Sequence, residues 1–398
     1  MKSLMDLYKI GNGPSSSHTM GPKNASIIFM NENPLCNRFE VTLFGSLALT
    51  GKGHLTDYVI LNTLPNTKVI FDYKTEVCHP NTMEFRGYID DKLVASKTFF
   101  SIGGGALAVD GVSLTTAKDI YNERNFLEIC KFISDKNITL DEYVDFYEDI
   151  NDYLENVLDT MITTLEKGLN TTTLIPGKLK LKRKAKMLLD DKNNILRDDN
   201  HKLMAYAYAT AEENASGGVI VTAPTCGASG VLPAVIYYLK DKYNTSRKTI
   251  IKGLKIAGII GNVVKQNGSI SGAEAGCQAE IGTACSMAAA YACYIFGGDI
   301  TRIERSAEIA LEHHLGLTCD PVGGYVQIPC IERNAVAALR AIDAARLAMY
   351  LNDDDARISF DTVVSTMLET GASLPRELRE TSQGGLATKV ILGDKIED

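Results

Sequence analysis

Tryptophan is absent from this 398-residue chain, and bases are outnumbered: 41 Lys and Arg face 49 Asp and Glu, a formal net charge of −8. That balance argues against a general affinity for nucleic acid, which needs a net-basic surface. The one basic run, residues 178–186 (KLKLKRKAK), is open to two readings, an anion patch or a solvated linker and helix start; the acidic chain favours the second. The opening MKSLMDLYKIGNG lacks the continuous apolar core of a secretory signal. The most apolar stretch, residues 217–239 (GGVIVTAPTCGASGVLPAVIYYL), is interrupted by Pro224, Pro233 and small polar residues. It is therefore expected as a buried loop joined to a core helix, not as a membrane span. No internal repeat or low-complexity segment is present. The nine cysteines are odd in number and never two to four residues apart, so neither a disulfide framework nor a local zinc or ferredoxin pattern is expected. Free thiols in a reducing cytoplasm follow.

What is there is ordinary globular material, 45% hydrophobic and 23% charged, enough for two domains with cores of their own. The fold class expected is α+β: a mixed α/β domain over 1–150, a helical linker over 151–184 and an all-helical domain over 185–398. In the first part, residues 22–30 read as a short helix with proline in its first turn. FEVTLF, KVIFDY, MEFRGYI and LVASKTFF read as strands. Thr139 with Glu142 makes a capping box, predicting a helix that runs to about Lys167. The second half carries helical periodicity throughout. Its many Ala, Gly and Ser residues let helices approach closely around a central pocket.

Three late cysteines stand in Gly- or Pro-marked breaks of that pattern: Cys277 (EAGCQAE), Cys319 (LTCDPVGG) and Cys330 (IPCIERN). Cys330 precedes a long apolar-periodic run and is expected at a helix N-terminus, where the dipole lowers a thiol pKa. Cys277 has a similar setting, and Cys319 reads as a loop residue. Together they suit the thiolate cradle of an iron–sulfur cluster with one site open. Taken singly, each could equally be a small buried hydrophobe.

Six segments settle the reading: GPSSSHTMGP, GKGHLTD, APTCGASGVLPA, GAEAGCQAEIG, CDPVGGYVQIPCIERN and ETSQGGLA. In this order the chain resembles the bacterial iron–sulfur-dependent L-serine dehydratases, in the single-chain form with the β-type domain first and the α-type domain second. The resemblance implies a [4Fe–4S] cluster held by Cys277, Cys319 and Cys330, its fourth iron acting as a Lewis acid, with pyruvate and ammonia as products. It also implies that His18 and His54 lie beside the cluster where the two domains meet. Some single-chain relatives carry a cysteine near the C-terminus that folds back onto the cluster. This chain ends ATKVILGDKIED without one, so a tail-thiol gate is not expected.

Dehydrating serine requires a base for the weakly acidic Cα proton, help for the leaving hydroxide, and a carboxylate cradle. His18 and His54 are the acid/base candidates, one of which could instead only orient a loop. Ser15, Ser16, Ser17 and Thr19 offer hydroxyls and N–H groups before a helix start, suited to a carboxylate, although one could serve as an ordinary cap. Thr225 and Gly227 in the APTCGA loop are weaker candidates for the same pocket, which Cys226 could line. Cys285 and Cys293 are expected as packing residues. His313 and His314 are expected as structural residues at a helix end, where a cation suits the dipole. A pyridoxal phosphate enzyme is not expected, because Gly103 to Gly105 has no accompanying lysine motif. The partner expected is a small-molecule substrate, with no nucleic acid or membrane, in a homodimer. Related readings are elimination from L-cysteine or L-threonine, and a non-catalytic iron–sulfur sensor, which would not require the histidine motifs.

Overall fold

The computed structural model describes residues 1–390 except 103, 111, 115–117, 191–198 and 352–355. The chain-end segment ILGDKIED, Gly103 and the two Asp-rich stretches therefore lie wholly or partly outside the described residues. The architecture is α+β, as expected. In chain order, the first part contains β1 (Ile10–Asn12), α1 (Gly21–Glu32), β2 (Arg38–Phe44), α2 (Gly45–Thr50), α3 (Thr56–Thr63), β3 (Thr67–Asp72), β4 (Thr82–Ile89), β5 (Lys92–Ser101), β6 (Leu107–Val109) and β7 (Val112–Ser113). Helices follow: α4 (Phe126–Lys136), α5 (Leu140–Tyr147), α6 (Asn151–Asn170), α7 (Ala185–Asp190) and α8 (Asn200–Ala215). After β8 (Val219–Val221) come α9 (Val231–Tyr243), α10 (Arg247–Asn267), α11 (Gly272–Ala275), α12 (Thr283–Ile295), α13 (Ile300–Glu312), α14 (Cys330–Tyr350) and α15 (Phe360–Ser373).

A six-stranded sheet runs β3-β2-β4-β5-β6-β7, antiparallel except for the β2–β3 pair, whose crossover is α2 and α3. The four strands read from sequence are all present. In β2 the alternation FEVTLF buries Phe39, Val41 and Leu43 while Glu40 and Thr42 lie on the other face. Ala25 and Phe29 of α1 cover that apolar face, with Phe29 tilted against Phe85 at 5.5 Å between ring centroids. A separate small sheet pairs β1 with β8 antiparallel, tying the chain start to the segment before α9.

The larger core belongs to the helices. α12 sits at its centre, buried from Thr283 to Cys293, and α9, α10, α13 and α14 pack around it. Its sequence TACSMAAAYAC explains this, since small side chains on every face admit four neighbours at close range. On α10, a Cβ at Gly253 would come within 2.5 Å of the Tyr291 ring, so only glycine lets that ring seat. Residues outside the C-terminal half join this core: Met1, Leu4, Leu7 and Tyr8, and apolar residues of α4, α5 and α6. Helix α6, within the stretch expected as a linker, buries Leu154, Val157, Leu158, Met161 and Leu165.

Two local expectations are corrected. The helix opened by the Thr139–Glu142 capping box ends at Tyr147, and α6 starts afresh at Asn151. Glu148 breaks it, adopting extended backbone so that its carboxylate can accept from Ser3 Oγ, Leu4 N and Tyr121 Oη. The basic run 178–186 does lead into α7, but Arg183 is not solvated: it is buried against Glu213 at 2.6 Å.

Candidate active site

Two tight turns bring the histidine motifs together. Ser15 caps the π-helical turn Ser16–Met20, its Oγ accepting from His18 N, and Thr19 Oγ1 donates to the carbonyl of His54 at 2.7 Å. In return Thr56 Oγ1 donates to the carbonyl of His18 at 2.6 Å. The two imidazoles stack with centroids 4.5 Å apart.

Their ring nitrogens are used differently. Both nitrogens of His18 are occupied, Nδ1 by Ser17 Oγ at 2.9 Å and Nε2 by Ser46 Oγ at 3.0 Å. In His54, Nδ1 lies 2.9 Å from the carbonyl of Thr50. A carbonyl only accepts, so Nδ1 carries the proton and Nε2 holds the lone pair. That Nε2 is 4.0 Å from Glu380 Oε1. Burial lowers the His54 pKa to about 4 despite the Thr50 carbonyl, leaving the ring neutral near pH 7 with its Nε2 lone pair unprotonated. Burial, with His54 alongside, holds the His18 pKa well below its ordinary value.

Opposite the histidines, three breaks between helices deliver the cysteines. Cys277 precedes the π-helical turn Gln278–Gly282 that leads into α12. Cys319 lies in a loop whose backbone pairs with the late ETSQGGLA segment: Cys319 N donates to Leu378 O, and Glu380 N donates to Cys319 O. Cys330 is the first residue of α14, as expected. The dipole does not decide its pKa: burial and the neighbouring Cys277 push it well up, a correction to the sequence expectation. Cys319 is raised likewise by its contact with Cys277 and by burial.

All three sulfurs face one cavity of about 630 Å³, together with Ser15, Ser16, Ser17 and His54. Thr225, Cys226 and Gly227 line it too. His18 and Thr19 do not; they sit behind His54 and the serine loop. The APTCGA loop is pinned to α14 by Asn334, whose Nδ2 donates to Gly227 O and whose Oδ1 accepts from Gly230 N. The GKGH loop abuts the cysteine loop so closely that a Cβ at Gly53 would meet Gly324 O at 2.6 Å. The expected meeting of histidine and cysteine motifs is thus built through backbone contact.

Sequence reasoning passed over several cavity residues. Glu280, in GCQAEIG, is half-buried at the cavity wall, and its Oε1 accepts from Thr225 Oγ1 at 2.8 Å; desolvation raises its pKa. Glu380, in ETSQGGLA, is pushed up to about 8 by burial and by Glu280. Arg379 lines the cavity with a buried Nε that has no partner among the described residues, and His79 lines it as well. Arg333 lies beside Cys277 and Cys330. The two acids stand inside segments already singled out and Arg379 immediately before one, so charged residues in or adjoining those motifs were the available signal. His79 offered none. His314, expected as a cation at a helix end, is instead buried and its pKa lowered to about 4, so it is neutral.

The donor set suits a cationic group. Arg333 acts on Cys277, Cys330 and Glu280, and Arg379 also lines the cavity, yet three thiols and two carboxyls gathered there cannot all ionise unless further positive charge joins them. Sulfur ligands from three separate segments favour iron or zinc over a hard cation.

A family model described as serine dehydratase beta chain matches residues 3–70, and one described as serine dehydratase alpha chain matches residues 70–387. The chain belongs to the serine dehydratase family, with both parts in one polypeptide. Their junction falls within β3, so the six-stranded sheet draws on both. The chain is 38% identical to the L-serine dehydratase of Haemophilus influenzae, over 98% of this chain and 100% of the relative. It is 37% identical to L-serine dehydratase TdcG of Escherichia coli, over 99% and 100%. To the L-serine dehydratase of Streptomyces coelicolor it is 36% identical, over 98% and 99%. Among the described residues no helix is long and apolar enough to cross a membrane.

Proposed function

We propose that the protein is an L-serine ammonia-lyase, converting L-serine to pyruvate and ammonia with a [4Fe–4S] cluster held by Cys277, Cys319 and Cys330. The observation that carries this is the one cavity lined by those three cysteines and by His54, whose Nε2 holds a lone pair. When bound, the cluster supplies a Lewis acid that eases departure of the β-hydroxyl. His54 takes the Cα proton at Nε2, and the Thr50 carbonyl holds its Nδ1–H so that the accepting nitrogen always faces the substrate. The Arg379 guanidinium, anchored by Nη1 on Glu274 O with its Nε left open, and the hydroxyls of Ser15, Ser16 and Ser17 hold the carboxylate. His18, with both nitrogens engaged, stacks on His54 and fixes its plane. Burial keeps bulk water from protonating the base. The enamine product tautomerises and hydrolyses without further help. A homodimer, the commonest assembly, is taken as the working state in a reducing cytoplasm, and light scattering would check it.

The test is side-by-side release of pyruvate, 2-oxobutyrate and sulfide from serine, threonine and cysteine by anaerobically purified protein. Brown protein that releases chiefly pyruvate is expected. Preferential sulfide release would overturn the substrate, and a colourless preparation that consumes serine would overturn the cluster.

A further inference from the structure

One more ligand-type side chain is built into the cysteine cavity. Glu280 follows Cys277 on the π-helical turn 278–282. Thr225 Oγ1 fixes one oxygen, Oε1, at 2.8 Å. The other, Oε2, is left among the sulfurs, 3.9 Å from Cys277 Sγ and 4.0 Å from Cys319 Sγ. The ligand atoms of Cys277, Glu280 and Cys319 all lie within 4.8 Å of one another. Gly272 leaves the space open, since a Cβ there would come within 2.7 Å of Oε2 and 3.1 Å of Cys319 Sγ. Among the described residues no lysine or arginine forms an ion pair with Glu280. Arg333 acts on it only at a distance, its own bonds to oxygen going to Thr318 O at 2.6 Å and Asp320 at 3.4 Å. A carboxylate held among thiols with no ion-pair partner is stabilised when a cation comes to it.

We propose that Glu280 Oε2 is the fourth ligand of the cluster, bound at the iron that the three cysteines leave without a thiolate, and that substrate displaces it. The inference rests on the cluster reading above. A hard carboxylate oxygen on this soft-ligand site binds more weakly than a thiolate, so it can both cap the iron and leave. The exchange is one ligand for another, with no change of oxidation state. Its neighbours are committed elsewhere: Cys226 packs with Met20 and Ile220, and Glu380 Oε1 faces His54 Nε2.

The experiment compares the anaerobically loaded full chain with E280Q, C226A and E380Q. Iron and sulfide content is measured first, then oxygen-17 ENDOR of the reduced cluster in labelled water without substrate. Equal iron in wild type and E280Q is expected, with no solvent-oxygen coupling in wild type, C226A or E380Q and a clear coupling in E280Q. Solvent coupling already present in wild type, or opened by C226A or E380Q while E280Q stays closed, overturns the proposal. Should E280Q fail to keep its cluster, carbon-13 coupling from wild type labelled at glutamate side-chain carboxyls decides. Coupling that serine abolishes supports the proposal, and its absence refutes it. Wild type that binds no iron would instead bring down the cluster reading.

Discussion

Cys277 and Cys285 are both buried and stand eight residues apart, yet the fold gives them different surroundings. Cys285 lies inside α12, where its Sγ contacts Ala337 O at 3.2 Å, and Cys293 on the same helix contacts the Met349 sulfur. Cys277 lies just before α12 becomes regular, after Gly276 at φ +74°, and its sulfur turns into the cavity. A continuous helix commits its thiols to neighbouring helices, whereas a break lets a thiol converge with others from distant segments. The histidines divide in the same way. His54, in the turn between α2 and α3, keeps a free nitrogen at the cavity, while His314, after α13, donates to Ala310 O and only packs.

The strongest attempt to break this comparison is Cys330→Ala. It is expected to bleach the protein and cut turnover to below about one-hundredth of wild type; iron content and pyruvate release read both. Coloured, active C330A would move Cys330 to the packing class. His54→Ala should keep the iron and lower kcat by about 10²–10⁴-fold, the usual worth of a general base. Unchanged kcat would remove His54 from the chemistry. His18→Ala, which takes away only the ring behind it, should cost about 10-fold to 100-fold, again with full colour.

Smaller effects test the packing side. The folded His314 titrates at about 4 against an ordinary value of 6.5, so below 6.5 the unfolded chain binds a proton that the folded one refuses. Stability is therefore lost as pH falls from 6.5 towards 4, by at most about 1.4 kcal/mol per pH unit for this one group. His314→Asn should flatten the pH dependence of urea unfolding by that slope, and an unaltered slope would show the ring charged in the fold. Least of all, Cys285→Ala should leave iron and rate intact while lowering unfolding free energy by about 1 kcal/mol. Loss of colour in C285A would erase the distinction between the two cysteine classes.

Much of the first sheet was legible because its strands alternate, as in FEVTLF, and half-buried strands write their period into the sequence. The break at Glu148 was not, because its cause is a carboxylate shared with Ser3 and Tyr121, far away in the chain. β1 and β8 escaped notice for the same reason: three residues carry no period, and only their pairing makes them strands. The cysteines and His54 were readable through their motifs. Glu280, Glu380 and Arg379 stood inside or beside those motifs but gave no sign of facing the cavity, because an acid or base looks alike whether it is solvated or enclosed.

By itself the sequence determined which residues could do chemistry and which helices must be buried, since residue type and periodicity are local properties. Only the tertiary structure decided which nitrogen of which histidine is free, that His314 is neutral, and that a carboxylate stands among the sulfurs. Those outcomes depend on burial and on hydrogen bonds between segments far apart in the chain, and neither exists until the chain has folded.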